Sequence, residues 1–173
     1  MSEPEVWLRG PLGGYHPMLL PVAHSLLQVR EDLARLERTV TPAQLWSRPG
    51  GAASIGFHIR HTGGALDRLL TYARGDTLSA PQLVFLAGEA APGDPPVLLS
   101  TLVIGVNAVI DRSLAQLRAV DPARLLEARE VGRGRLPSTV LGLIVHAAEH
   151  STRHMGQAIT TTRILCGSAA ASV

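Results

Sequence analysis

The sequence predicts an all-α chain, a four-helix bundle with long connections between its helices. Three observations carry that expectation. Apolar residues make up 46% of the 173 positions but aromatics only 3%, so the core has to come from Leu, Ile, Val and Ala. That supply suits helix packing better than a sandwich or barrel, which draws on Tyr, Phe, Trp and Thr. Four segments repeat their apolar residues at helical spacing, and Gly- and Pro-rich stretches separate them. A mass of 18.3 kDa suits one domain over 1–173, with 1–16 as an N-terminal extension and 167–173 as a frayed tail.

The first helix is expected from about Pro17 to Val40. Leu19, Val22, Leu26, Val29, Leu33, Leu36 and Val40 alternate spacings of three and four, while Arg30, Glu31, Arg35, Glu37 and Arg38 occupy the other faces. Thr41-Pro42 stops it, because the residue before proline disfavours the α region. The second helix is expected from about Ala52 to Arg74, ending at Gly75-Asp76, and the third from about Pro96 to Val120. The fourth begins after Pro137, with Ser138 or Thr139 as its cap, and runs to about Leu165 before Gly167. Ser79 to Pro95 has room for one short helical piece around Leu83 to Ala87, and Asp121 to Leu136 is a long connection.

Composition excludes several chemistries. All sixteen basic residues are Arg, which removes a Schiff-base lysine and a P-loop lysine together. The single Cys166 removes an internal disulfide and every multi-thiolate zinc site. The arginines stand singly among Asp and Glu, with a formal charge of +2, so no nucleic-acid surface is expected. The N-terminus carries early acids and no apolar run of the signal-peptide kind. Leu98 to Ile110, interrupted by Ser100, Thr101, Gly105 and Asn107, is too short and polar for a span of about 20 residues. A cytoplasmic protein without a membrane partner is expected.

Five of the seven histidines fall into two tight groups, His58/His61 and His146/His150/His154. On the fourth helix a seven-residue stripe through Leu143, Ala147, His150, His154, Gln157, Thr161 and Ile164 puts two imidazoles and a glutamine where aliphatic side chains would stand. Residues i and i+4 share one helix face, so both rings can reach one ion. His146 lies off that stripe and about 12 Å of axial rise from His154, too far for all three to share a metal. On the second helix the stripe Ile55, His58, Thr62, Ala65, Leu69 favours His58, and an alternative stripe through Ala65 and Tyr72 takes in His61. Periodicity leaves that choice open. Gly63-Gly64 inside this helix marks either a close helix approach or space kept beside His61.

Ser54–Gly75 and Val145–Leu165 resemble the two signature helices of the DinB/YfiT superfamily, the run from His150 through Gly156-Gln157 being the more specific piece. With Trp46 and the long first helix, the resemblance covers about Met18 to Leu165. It implies a four-helix bundle holding one divalent transition metal, zinc foremost with nickel or iron as alternatives, on His61, His150 and His154. His58, His146 and Gln157 are then candidates for supporting those ligands. Met155 departs from the pattern, standing where relatives often carry a basic residue. Three neutral imidazoles leave open coordination positions, the pattern of catalytic rather than structural sites. The resemblance implies a metal-dependent transferase, isomerase or hydrolase with a low-molecular-weight thiol as cosubstrate. The alternative is a non-catalytic metal-binding or stress-associated bundle.

Cys166 lies twelve residues beyond His154, roughly 18 Å along a straight helix, so a reactive thiol has to come from a cosubstrate. His16 and His24 stand apart from the groups, Glu149 points away from its ligand neighbour, and Arg153 and Tyr72 have ordinary structural readings. Leu20, Ala23 and Leu27 add apolar residues on further faces of the first helix, which suggests a homodimer.

Overall fold

Each expected helix forms, with its ends set by local chemistry. The computed structural model describes residues 3–170. Its long helices are α1 (Leu20–Glu37), α3 (Ile55–Arg74), α5 (Leu99–Ala119) and α6 (Val140–Ala170), with short α2 (Pro42–Leu45) and α4 (Ala80–Gly88) between them. Four 3-10 turns and one two-stranded antiparallel hairpin, β1 (Ala128–Val131) and β2 (Leu136–Thr139), complete the described residues.

The seven-residue stripe of α1 and its flanks is buried throughout, from Leu19 at 0% to Val40 at 9% exposed. Each such side chain contributes about 1.5–3 kcal/mol of burial. The chain enters α1 through a 3-10 turn at Pro17–Leu19 and leaves at Arg38, after which Thr41 starts α2 with its backbone N–H on Gln44 Oε1 at 2.9 Å. Ser54 caps α3, its hydroxyl accepting from the Phe57 N–H at 3.1 Å, and Gly75 ends it at φ 90°, a left-handed turn that glycine adopts without strain.

α3 packs against α6 and α5, and α1 closes onto the same two, so the four long helices surround one aliphatic core. Residues 3–16 lie along α1 rather than away from it. Arg9 holds Glu31 through two bonds of 2.5 and 2.9 Å, Gln28 accepts from the Val6 N–H, and the buried His24 ring meets the Gly10 carbonyl at 3.1 Å. Trp46 pins the connection before α3, its indole N–H on the Val97 carbonyl at 3.0 Å and its ring against Gly56.

Three expectations are corrected. The fourth helix does not stop before Gly167 but continues to Ala170, and the last three positions of the expected frayed tail, 171–173, lie outside the described residues. The piece around Leu83–Ala87 is longer, because a Ser79–Gln82 capping box and Pro81 start it earlier. The Asp121–Leu136 connection folds into the hairpin, whose Arg129 donates to the Ala73 carbonyl at 2.9 Å and so satisfies the C-terminal end of α3.

The adjacent glycines Gly63 and Gly64 of α3 serve close approach. A Cβ on Gly63 would stand 3.1 Å from Val106 of α5, and one on Gly64 would overlap Glu89, Phe85 and Arg68. Gly105 of α5 meets nothing within 4 Å. Gly105→Ala is therefore expected to raise stability by about 0.5–1 kcal/mol, from helix propensity alone. Gly64→Ala, with the same propensity gain, is expected to lower it by about 1–3 kcal/mol through overpacking. Urea unfolding of the two variants checks the contrast.

Candidate metal centre

The α3–α6 contact, the most extensive between helices here, brings the two histidine groups together. One ring nitrogen from each of His61, His150 and His154 lies within 4.8 Å of the others. His61 Nε2 stands 2.9 Å from His150 Nε2, and the His154 ring centroid lies 4.5 Å from both of the other rings. His58, nearly fully buried, directs Nδ1 at His154 Nδ1 across 3.0 Å. The arrangement thus separates the α3 pair that periodicity left open: His61 stands in the three-nitrogen cluster, and His58 behind it contacts His154.

Glu89, immediately after α4, was not singled out from the sequence. Its carboxylate is 3% exposed and has two partners: His61 Nδ1 at 2.7 Å and Arg68 Nη1 at 2.5 Å. A carboxylate only accepts, so His61 carries its proton on Nδ1 and presents the Nε2 lone pair to the cluster. Burial pushes the Glu89 carboxyl upward, but the bonds from His61 and Arg68 outweigh it and hold the group ionised below its ordinary pKa. The signal in the sequence was slight: Glu89 is the lone carboxylate between Asp76 and Asp94, set in an otherwise apolar run.

His150 and His154 are each pushed down to about 4, first by burial and then by His61, with Arg153 also acting on both. Burial and His61 lower His58 as well. His150 and His154 are therefore neutral at pH 7, the form that ligates metal. Arg153 donates to His150 Nδ1 at 3.1 Å and to Glu149 at 3.0 Å. A proton-bearing line runs Arg153, His150, His61, Glu89, with Arg68 at its buried end. Phe57 stacks on the His61 ring at 5.2 Å and covers one side of it.

The stripe expected for α6 holds at Leu143, Ala147 and Thr161, but between them the buried line runs one position later. The buried line is Leu143, Ala147, Ser151, Met155, Ala158 and Thr162, and His150 and His154 sit half-buried on its shoulder. Gln157 and Ile164 are exposed. Met155, 1% exposed, is a core residue. His146 is exposed, with its ring 5.4 Å from His150 and Nδ1 3.3 Å from Glu149. His16 and His24 lie in the N-terminal packing, and Cys166, exposed, faces Gln44 of α2. A cavity of about 620 Å³ between α3, α4 and α5 is lined by Gly63, Gly64, Phe85 and Val106 among others, and by none of the clustered histidines.

Two outcomes follow from the buried Glu89 and the depressed imidazoles. Glu89→Gln is expected to weaken metal binding by about 10–100-fold, measured by competition against a chelator. The unfolded chain takes up protons near pH 6.5, where the folded His150 and His154 do not. Metal-free protein should accordingly hold full stability above about pH 6.5 and lose it progressively as pH falls toward 4, measured by chemical denaturation across that range.

The sequence pattern of the DinB superfamily matches residues 25–158, the span that contains most of α1, all of α3 and α5, and every clustered histidine. The crystal structure of a conserved protein from Enterococcus faecalis superposes with a TM-score of 0.69 at 18% identity, covering 86% of this chain and 97% of that one. That likeness is one of fold. Among curated proteins no sequence matches. With most of its length matched, the chain belongs to the DinB superfamily.

Proposed function

We propose that this chain is a metal-dependent enzyme of the cytoplasm, a four-helix bundle that holds one divalent transition metal on His61, His150 and His154 and acts on a substrate with a low-molecular-weight thiol. The observation that carries the reading is the three-imidazole cluster within 4.8 Å, backed by a buried carboxylate on one of its rings. The donor set fits such an ion: neutral nitrogens suit zinc first and nickel or iron as well. A bound ion would supply Lewis acidity toward a thiol sulfur or an oxygen donor.

The chain's own residues would do the rest. Glu89 keeps the His61 proton on Nδ1, and His58 accepts from His154 Nδ1 when Nε2 of that ring is engaged. Ligation through Nε2 of His150 requires its proton on Nδ1, so Arg153 would give up that ring and keep Glu149. Phe57 shields the cluster from water on one side. Cys166 faces α2, so the reacting thiol comes from outside the chain.

A second reading, a non-catalytic metal-binding homodimer, is favoured by the outward apolar face of α4, where Leu83, Val84, Phe85 and Leu86 are 43–74% exposed. Of the α1 residues that first suggested a dimer, Ala23 is fully buried, Leu27 packs on the core and Leu20 is half-buried. A homodimer is part of both readings, and sedimentation showing monomer at all concentrations would remove it.

A panel of small thiols and electrophiles, assayed with metal-loaded protein, separates the two. The enzyme reading expects turnover that drops to the chelator-treated background in His61→Ala and in His154→Ala. Metal binding without turnover across the panel would favour the second.

A further inference from the structure

A second polar cluster lies away from the histidines, where the N-terminal segment crosses α1 and α5. A cleft of about 330 Å³ opens there, with Tyr15 on one wall, Leu27 and Arg30 of α1 on another, and Asp111, Leu114 and Arg118 of α5 on the third. The spacing on α5, i, i+3 and i+7, puts its three residues on one face.

The donors of this cleft outnumber its acceptors. Tyr15 Oη and Arg30 Nε are both buried and have no hydrogen-bond partner among the described residues. The Arg118 guanidinium stacks over the Tyr15 ring, 4.5 Å from its centroid, and has neither an ion pair nor a hydrogen bond among the described residues. The sole carboxylate of the lining, Asp111, is engaged by Arg30 Nη2. Two guanidiniums thus face one carboxylate, a surplus of one positive charge. Burial raises the Tyr15 hydroxyl against the pull of Arg118 and Arg30, so it remains a donor. Unpartnered buried donors cost folding free energy and are rare unless something accepts from them.

We propose that this cleft is an anion site, taking the carboxylate or phosphate group of a small molecule. The oxyanion pairs with the Arg118 guanidinium and, with a small shift of the segment around Tyr15, accepts from Tyr15 Oη and Arg30 Nε, both closed to solvent in this structure, while the body of the ligand lies against Leu27 and Leu114. Planar guanidiniums and a hydroxyl match such oxygens, and an anion also offsets the surplus positive charge, which a neutral acceptor does not. A bound anion would also tie the segment around Tyr15 to α1 and α5. The metal cluster, built on α3 and α6, plays no part in it.

Thermal unfolding of the full chain in inorganic phosphate or in succinate, each against sodium chloride at equal ionic strength, tests the site. At an anion concentration a hundred times its Kd the midpoint should rise by about 5–10 °C. A response to phosphate alone assigns a phosphate ligand, and one to succinate alone a carboxylate ligand. Arg118→Gln should abolish the rise. Tyr15→Phe, which removes only an unpartnered hydroxyl, should unfold no earlier than wild type without anion yet respond less to it. No shift with either anion, or an equal shift in Arg118→Gln and Tyr15→Phe, would overturn the proposal.

Discussion

The buried contact of Glu89 with both Arg68 and His61 is what allows imidazoles to stand at the edge of an otherwise aliphatic core. A carboxylate at 3% exposure has to have its charge matched, and here each oxygen meets one donor. Removing Arg68 would leave the buried carboxylate without a counter-charge, a loss of about 3–5 kcal/mol. Gly64 exists for the same reason, because any side chain there would occupy the place of the Glu89 carboxylate. One helix, α3, therefore supplies His61, Arg68 and the gap between them, and α4 ends where it does to deliver Glu89 into that gap.

On the other side of α3, the α6 residues that face the core are small or flexible: Ala147, Ser151, Met155 and Ala158. Their slimness lets the two helices approach, and the histidines one position earlier turn toward the rim. Burial there is partial, enough to keep His150 and His154 neutral but not enough to close them off. The balance suits a metal with positions to spare better than a sealed structural site.

Some of this was readable in the sequence and some was not, for identifiable reasons. The α1 stripe repeats over seven positions, and a long amphipathic helix averages out local exceptions. The His150–His154 pair was visible because two imidazoles one turn apart are rare on an apolar face. The α6 phase was misread because His150, Gln157 and Ser151 are all polar, so hydrophobicity alone could not say which side of Ala147 the core lay on. The hairpin was missed because four-residue strands, one containing Pro137, carry no period. Glu89 was missed because its role is set by residues 21 and 28 positions away, which only the fold brings near.

The central claim is that His61, His150 and His154 act as one ligand set. Elemental analysis of tag-free protein after gel filtration, wild type beside His154→Ala, tests it most directly. The account predicts about one transition-metal ion per chain in wild type and its loss in the variant. Metal absent from both, with no uptake of added zinc, would contradict it, and the four rings would then be a hydrogen-bonded histidine cluster and nothing more.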